Sequence, residues 1–194
     1  MKKLDEASLK VSDIILTTTT AAVSKAIRLA TRSDISHAMV YVQDHSVIDA
    51  TGEGVQARNT QRLFFEDDCF VYALRLRAGL TEEQVQAICT FVRGQIGTQY
   101  SKKEAIRTAL GGAQEWTRKQ FCSRLVAQAY AAAGIKLVDN PHFCSPADLK
   151  ASPVLTEVQN ATIPVTAEQA ARWEGQPGGG FAELDDCPGQ IPDR

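Results

Sequence analysis

Long apolar runs are missing from this chain. No window is long enough to span a bilayer, and the charged start Met1-Lys2-Lys3-Leu4-Asp5-Glu6 leads into no apolar signal region. The expectation is a cytoplasmic protein, or one exported without a cleavable signal peptide. An excess of one charge is missing too. Lys and Arg number 21 against 23 Asp and Glu, net -2, and the basic residues are scattered. That argues against a nucleic acid or an anionic membrane as partner.

The five cysteines (Cys69, Cys89, Cys122, Cys144 and Cys187) make no CxxC pair and no zinc-ligand ladder, and an odd count leaves at least one thiol free. No GxSxG elbow is present, and no glycine-rich loop follows a strand to cradle phosphate. Gly111-Gly112 follows a helical stretch and Gly178-Gly179-Gly180 lies near the end. The paired acids Glu66-Asp67-Asp68 and Asp185-Asp186 read as solvated loops. No cofactor is implied.

What is present is an α+β pattern in 194 residues, 44% of them apolar, enough for one full core. We read residues 1–173 as a single domain and 174–194, rich in Gly, Pro and acid, as a tail disordered or laid on the surface. Strands are expected at Val11 to Leu16, His37 to Val42, Ser46 to Ala50, Val55 to Ala57, Cys69 to Leu76 and Val154 to Val158. Helices are expected from Lys25 to Thr31, from Thr81 (a capping box with Gln84) to Gly94 or Gly97, from Lys102 to Leu110, and around Cys122 up to Gly134. A helical turn is expected at Pro146 to Leu149, and a last helix from Thr166 to Trp173.

The chemistry centres on Cys122. Leu125, Val126 and Ala129 follow it at helical spacing, so the helix is buried, and the cysteine is expected in its first turn. There, free N–H groups and the positive dipole end favour thiolate. A nucleophilic thiol needs a base. Of three histidines, His142 lies in a polar loop and His45 at a hairpin tip, whereas His37 opens an apolar strand after Ser36. Asp49 interrupts the apolar run Val47-Ile48-Asp49-Ala50, where a carboxylate is costly unless paired. It either orients His37 or caps the turn at Thr51-Gly52. The first role requires an odd-numbered hairpin loop, or a bulge, to bring both residues to one face. With Gln43 to His45 as a three-residue loop, His37 faces Thr51 and Asp49 lies one diagonal step away. Zinc held by Cys122, His37 and Asp49 would lack a fourth ligand.

Three segments together resemble a known family: Ser12-Asp13-Ile14-Ile15-Leu16, Ser36-His37-Ala38-Met39-Val40-Tyr41 and Val47-Ile48-Asp49-Ala50-Thr51-Gly52-Glu53-Gly54-Val55. The later Gly97-Thr98-Gln99-Tyr100-Ser101 and Phe121-Cys122-Ser123-Arg124-Leu125-Val126 match as well. The family is the circularly permuted, YiiX/YebB-like branch of the NlpC/P60 papain-like cysteine peptidases, related to the lecithin retinol acyltransferase superfamily. Its order is histidine on a strand, then a polar residue, then cysteine on a helix. The resemblance implies a permuted papain-like fold, a small antiparallel sheet packed against helices, with Cys122 as nucleophile, His37 as base and Asp49 as orienter. Tyr100, Ser36 and Phe121 are the pocket or oxyanion candidates, and Tyr100 serves equally well as an aromatic covering the helix. Two departures stand out: the family more often has glutamate or a second histidine where this chain has Asp49, and often glycine where it has Ser12.

The implied activity is a cysteine peptidase or amidase that works through an acyl-thioester on peptidoglycan stem peptides or related peptides. A lipid or protein deacylase or acyltransferase with the same residues, and a catalytically silent binding module, stand as alternatives. The partner is then a peptide-like or acyl substrate. A delivered effector would also meet secretion machinery and an inhibitory immunity-type protein.

Overall fold

The computed structural model describes residues 1–18, 35–51, 54–98 and 114–174. The helices expected at Lys25 to Thr31 and Lys102 to Leu110, Tyr100, and the tail from 175 onward lie outside them.

Nine strands and four helices are described. The strands are β1 (Lys2–Leu4), β2 (Ile14–Thr17), β3 (His37–Tyr41), β4 (Ser46–Thr51), β5 (Gly54–Asn59), β6 (Phe64–Phe65), β7 (Val71–Leu76), β8 (Leu155–Glu157) and β9 (Thr162–Pro164). The helices are α1 (Glu82–Gly94), α2 (Gln114–Ala132), α3 (Pro146–Lys150) and α4 (Ala167–Glu174). One sheet runs β5-β4-β3-β2-β7-β8, antiparallel throughout, and a smaller one runs β6-β1-β9. The fold is α+β, as the sequence led us to expect.

Side chains of a strand alternate between faces, and here both faces of the central strands are covered. Ile14, Leu16, Ala38, Val40, Ile48 and Ala50 point into one core with Ile88 and Val92 of α1 and Leu125, Val126 and Ala129 of α2. Ile15, Met39, Tyr41 and Val47 point into a second core with Leu4, Leu63 and Phe65 beneath the small sheet. Double coverage explains why β2 and β3 read as unbroken apolar runs. Each fully buried leucine or isoleucine contributes about 1.5–3 kcal/mol, so these two cores hold the central strands firmly. The small sheet went unread because its strands are two or three residues long, too short to show a period.

The helix ends follow their chemistry. Thr81 and Gln84 form a reciprocal capping box on α1, Ser145 and Asp148 another on α3, and Thr166 with Gln169 a third before α4. Gly134, at φ +76°, terminates α2. The strand expected from Val11 begins at Ile14 because Ser12 has φ +76°, a left-handed turn that no strand residue adopts. At such a φ glycine carries no steric penalty, whereas serine does. The turn is held by Tyr130 of α2, whose buried hydroxyl donates to the Ser12 carbonyl at 2.6 Å. Beside it Arg75 grips buried Asp13 with Nε and Nη2 at 2.8 and 2.6 Å.

Candidate active site

The β3–β4 hairpin sets the geometry. Met39 pairs with Asp49, Val40 with Ile48 and Tyr41 with Val47, and the Val42 N–H closes on the Ser46 carbonyl at 2.8 Å. The loop is therefore Gln43-Asp44-His45, three residues, with Asp44 and His45 at φ +58° and +57°. Because Met39 pairs with Asp49 and side chains alternate along a strand, Asp49 lies on the face of His37, one step along the diagonal. His37 Nε2 donates to Asp49 Oδ2 at 2.8 Å.

The imidazole is also hydrogen-bonded to Cys122. Thiol, imidazole and carboxylate thus form one chain of contacts. All three are sequestered: Cys122 is 1% exposed, His37 7% and Asp49 0%. Burial works against a charged imidazole. The Cys122 charge, the hydrogen bonds from Asp49 and Cys122, and the Asp49 charge outweigh it and push the His37 pKa up from 6.5 to about 10. Of the other described thiols (Cys69, Cys89 and Cys144), burial pushes Cys144 up to about 11 and raises Cys89.

One expectation about Cys122 needs correction. The helix starts at Gln114, not beside the cysteine. Cys122 is its ninth residue, counting 114 to 122, about two turns from the end. Its N–H belongs to the regular i→i−4 ladder, and the dipole end lies beyond its reach. The sequence suggested a start at Cys122 because the strongly apolar spacing begins there, whereas Gln114 to Gln120 is polar. The helix end is therefore too far away to polarise the thiol, and the Cys122 N–H is engaged within the helix.

Arg58 is the residue that sequence reading missed. From β5 its Nε sits 3.0 Å from Asp49 Oδ2 and 3.3 Å from Oδ1. Arg58 pairs with Val47, and Gln56, two residues earlier, pairs with Asp49. The available signal was Gln56-Ala57-Arg58 continuing the strand beyond Val55-Gln56-Ala57, which would have carried a basic side chain next to Asp49. Ser36 lies just before β3 with its hydroxyl 3.5 Å from the Thr17 carbonyl, turned to the backbone of β2. The side chain of Phe121 and all of Tyr100 lie outside the described residues. His45 contacts Glu6 and exposed His142 accepts from Gln128 Nε2 at 2.8 Å, so each bonds to a partner outside the triad. Ser123, next to Cys122, is buried and donates to the Cys144 carbonyl at 2.5 Å. Among the described residues no group of three or more His, Cys, Asp or Glu side chains is placed to hold a metal ion, and no helix is long and apolar enough to cross a membrane.

Known proteins share this arrangement of sequence and fold. Residues 8–159 match the model of a family described as "Permuted papain-like amidase enzyme, YaeF/YiiX, C92 family". A curated relative, the probable lipoprotein peptidase YaeF of Escherichia coli (strain K12), is 24% identical over 185 residues, 77% of this chain and 65% of the relative. The chain thus spans about 65% of that relative's length. Among solved structures, the metalloprotein yiiX from Escherichia coli O157:H7 superposes with a TM-score of 0.54 at 22% identity, covering 78% of this chain and 97% of that one.

Proposed function

The chain belongs to the YaeF/YiiX, C92 family of permuted papain-like amidases, and from that premise we propose that it is a cysteine hydrolase of amide bonds with Cys122, His37 and Asp49 as its machinery. One observation carries the reading: His37 is hydrogen-bonded both to Cys122 and to a fully buried carboxylate, Asp49. Nucleophile, base and orienter in that order are what covalent acyl transfer needs.

In the proposed reaction Cys122 attacks the carbonyl carbon as thiolate. His37, charged at neutral pH, hands its proton to the leaving amine as the acyl-thioester forms. Neutral His37 then draws a proton from water, which attacks the thioester and regenerates the thiol. Asp49 holds the ring in one tautomer throughout, and Arg58 holds Asp49. An amide is favoured over a lipid ester because the matching family is described as amidase and the curated relative as peptidase. Within amides we place peptidoglycan stem peptides and related peptides first.

The test is to incubate wild-type and C122A protein with purified peptidoglycan, synthetic peptides and acylated lipids, and to read products by mass. Cleaved peptide amides that depend on Cys122 support the proposal. Products only from the acylated lipids would move the protein to deacylation. No product, together with a Cys122 that iodoacetamide labels no faster near pH 7 than Cys89 or Cys144, would leave a silent binding module.

A further inference from the structure

Acyl transfer at Cys122 creates an oxyanion, and a donor must meet it. The Cys122 N–H is committed to its helix, and the Ser36 hydroxyl faces a backbone carbonyl. One hydroxyl beside the triad has no such engagement. Thr17 ends β2 directly opposite His37, so their side chains leave the same face with Cβ atoms roughly 4.5–5.5 Å apart. Thr17 is 0% exposed, and its Oγ1 is buried without a hydrogen-bond partner. A buried, unpartnered hydroxyl is costly, and valine would fill the same volume between His37 and Val71, the two strand neighbours of Thr17, without that cost.

We propose that Thr17 Oγ1 is the side-chain oxyanion donor of this site, a catalytic residue held in waiting beside His37. This rests on the cysteine-hydrolase reading. As the Cys122 sulfur bonds to the carbonyl carbon, the C=O π pair moves onto oxygen. That oxygen accepts from Thr17 Oγ1–H. When the pair returns, the C–N or C–O bond to the leaving group breaks, and His37 supplies the leaving group's proton. Thr17 loses no proton and forms no covalent bond. Thr17 and Cys122 are both buried, and both are neighbours of His37, one across the strand pair and one through a hydrogen bond.

Two reactions of the same thiol separate this role from a structural one. Alkylation by iodoacetamide is a direct displacement at carbon and develops no oxyanion. Acetylation by p-nitrophenyl acetate develops one. We expect T17V to slow acetylation of Cys122 by about 10²–10³-fold, followed as nitrophenolate release and as the acetyl adduct by mass. Alkylation at the same pH should stay within about twofold of wild type. T17S should recover most of the acetylation, and T17V should melt about 2–4 °C higher than wild type because an unsatisfied hydroxyl has gone. Wild-type acetylation rates in T17V overturn the assignment, as does an equal loss of both reactions, which would make Thr17 a support for His37. A wild-type protein that forms no acetyl adduct on Cys122 removes the hydrolase reading and this assignment with it. An adduct in wild type with no effect of T17V removes the assignment alone.

Discussion

Arg58 Nε lies 3.0 Å from Asp49 Oδ2, the same oxygen that accepts from His37 Nε2 at 2.8 Å. The carboxylate is thus held between two cations, one fixed and one that gives up its proton. A fully buried carboxylate without the fixed partner would depend on imidazole alone for its charge.

Replacing Arg58 with methionine should therefore do two separable things. Stability should fall by about 2–4 kcal/mol in urea denaturation, because a buried charge loses a partner. The His37 pKa, followed by NMR, should move up, since a neighbouring positive charge has gone. R58K should retain part of the stability, as a point charge without the planar guanidinium. An R58M protein with unchanged stability and unchanged His37 titration would mean that the ion pair does nothing.

Asp49→Asn keeps the shape and removes the charge. Both the hydrogen bond and the charge of Asp49 raise the His37 pKa, so the variant should titrate lower than about 10, and the alkaline limb of the alkylation or hydrolysis profile should shift to lower pH. The rate at neutral pH should fall by about 10²–10⁴-fold, because the amide can select the wrong tautomer. An unshifted limb would remove Asp49 from the machinery.

The same group makes a stability prediction with a definite sign. His37 is raised in the fold from 6.5 to about 10, so its contribution is complete below pH 6.5 and is lost as pH rises through about 10. Subtracting the unfolding free energy of H37Q from that of wild type at each pH removes the other titrating groups. The difference should favour wild type most at or below pH 6.5 and shrink toward pH 10. A difference that grows over this range would contradict the assigned shift.

Ser12 offers a test of the backbone alone. Its φ of +76° carries the left-handed penalty, which glycine does not feel. Ser12→Gly should raise stability by up to about 1 kcal/mol, the relief of strain being partly offset by a more flexible unfolded chain. Thermal unfolding of the two proteins checks it. A loss of stability would show that the Ser12 side chain contributes more to its surroundings than its backbone costs.

How much of this was legible beforehand depended on the range of the interaction. Length exposed β3, β4, β7 and α1, since each runs for five residues or more. The three-residue hairpin loop followed from requiring His37 and Asp49 to share a face. The start of α2 was hidden, because Gln114 to Gln120 has no apolar stripe of its own. Arg58 was hidden for a different reason: it meets Asp49 only after β5 folds back on β4, and nothing in the spacing of a single strand reports its neighbour's side chains. Thr17 was absorbed into a run of threonines from Thr17 to Thr20, where its pairing with His37 could not be seen.

The hairpin loop carries a further consequence, for how this site can be inherited or engineered. Gln43-Asp44-His45 touches no atom of the triad, yet its length decides which side of β4 faces His37. One residue more or fewer would slide β4 by one step, bury Asp49 among Ile48's present neighbours and present an apolar side chain to the imidazole. Two residues more would restore the face. The composition of that loop is free to drift, but without a compensating bulge its length can change only in even steps. Descendants that keep the activity should therefore differ there by pairs of residues, or by one residue together with a bulge in β3 or β4.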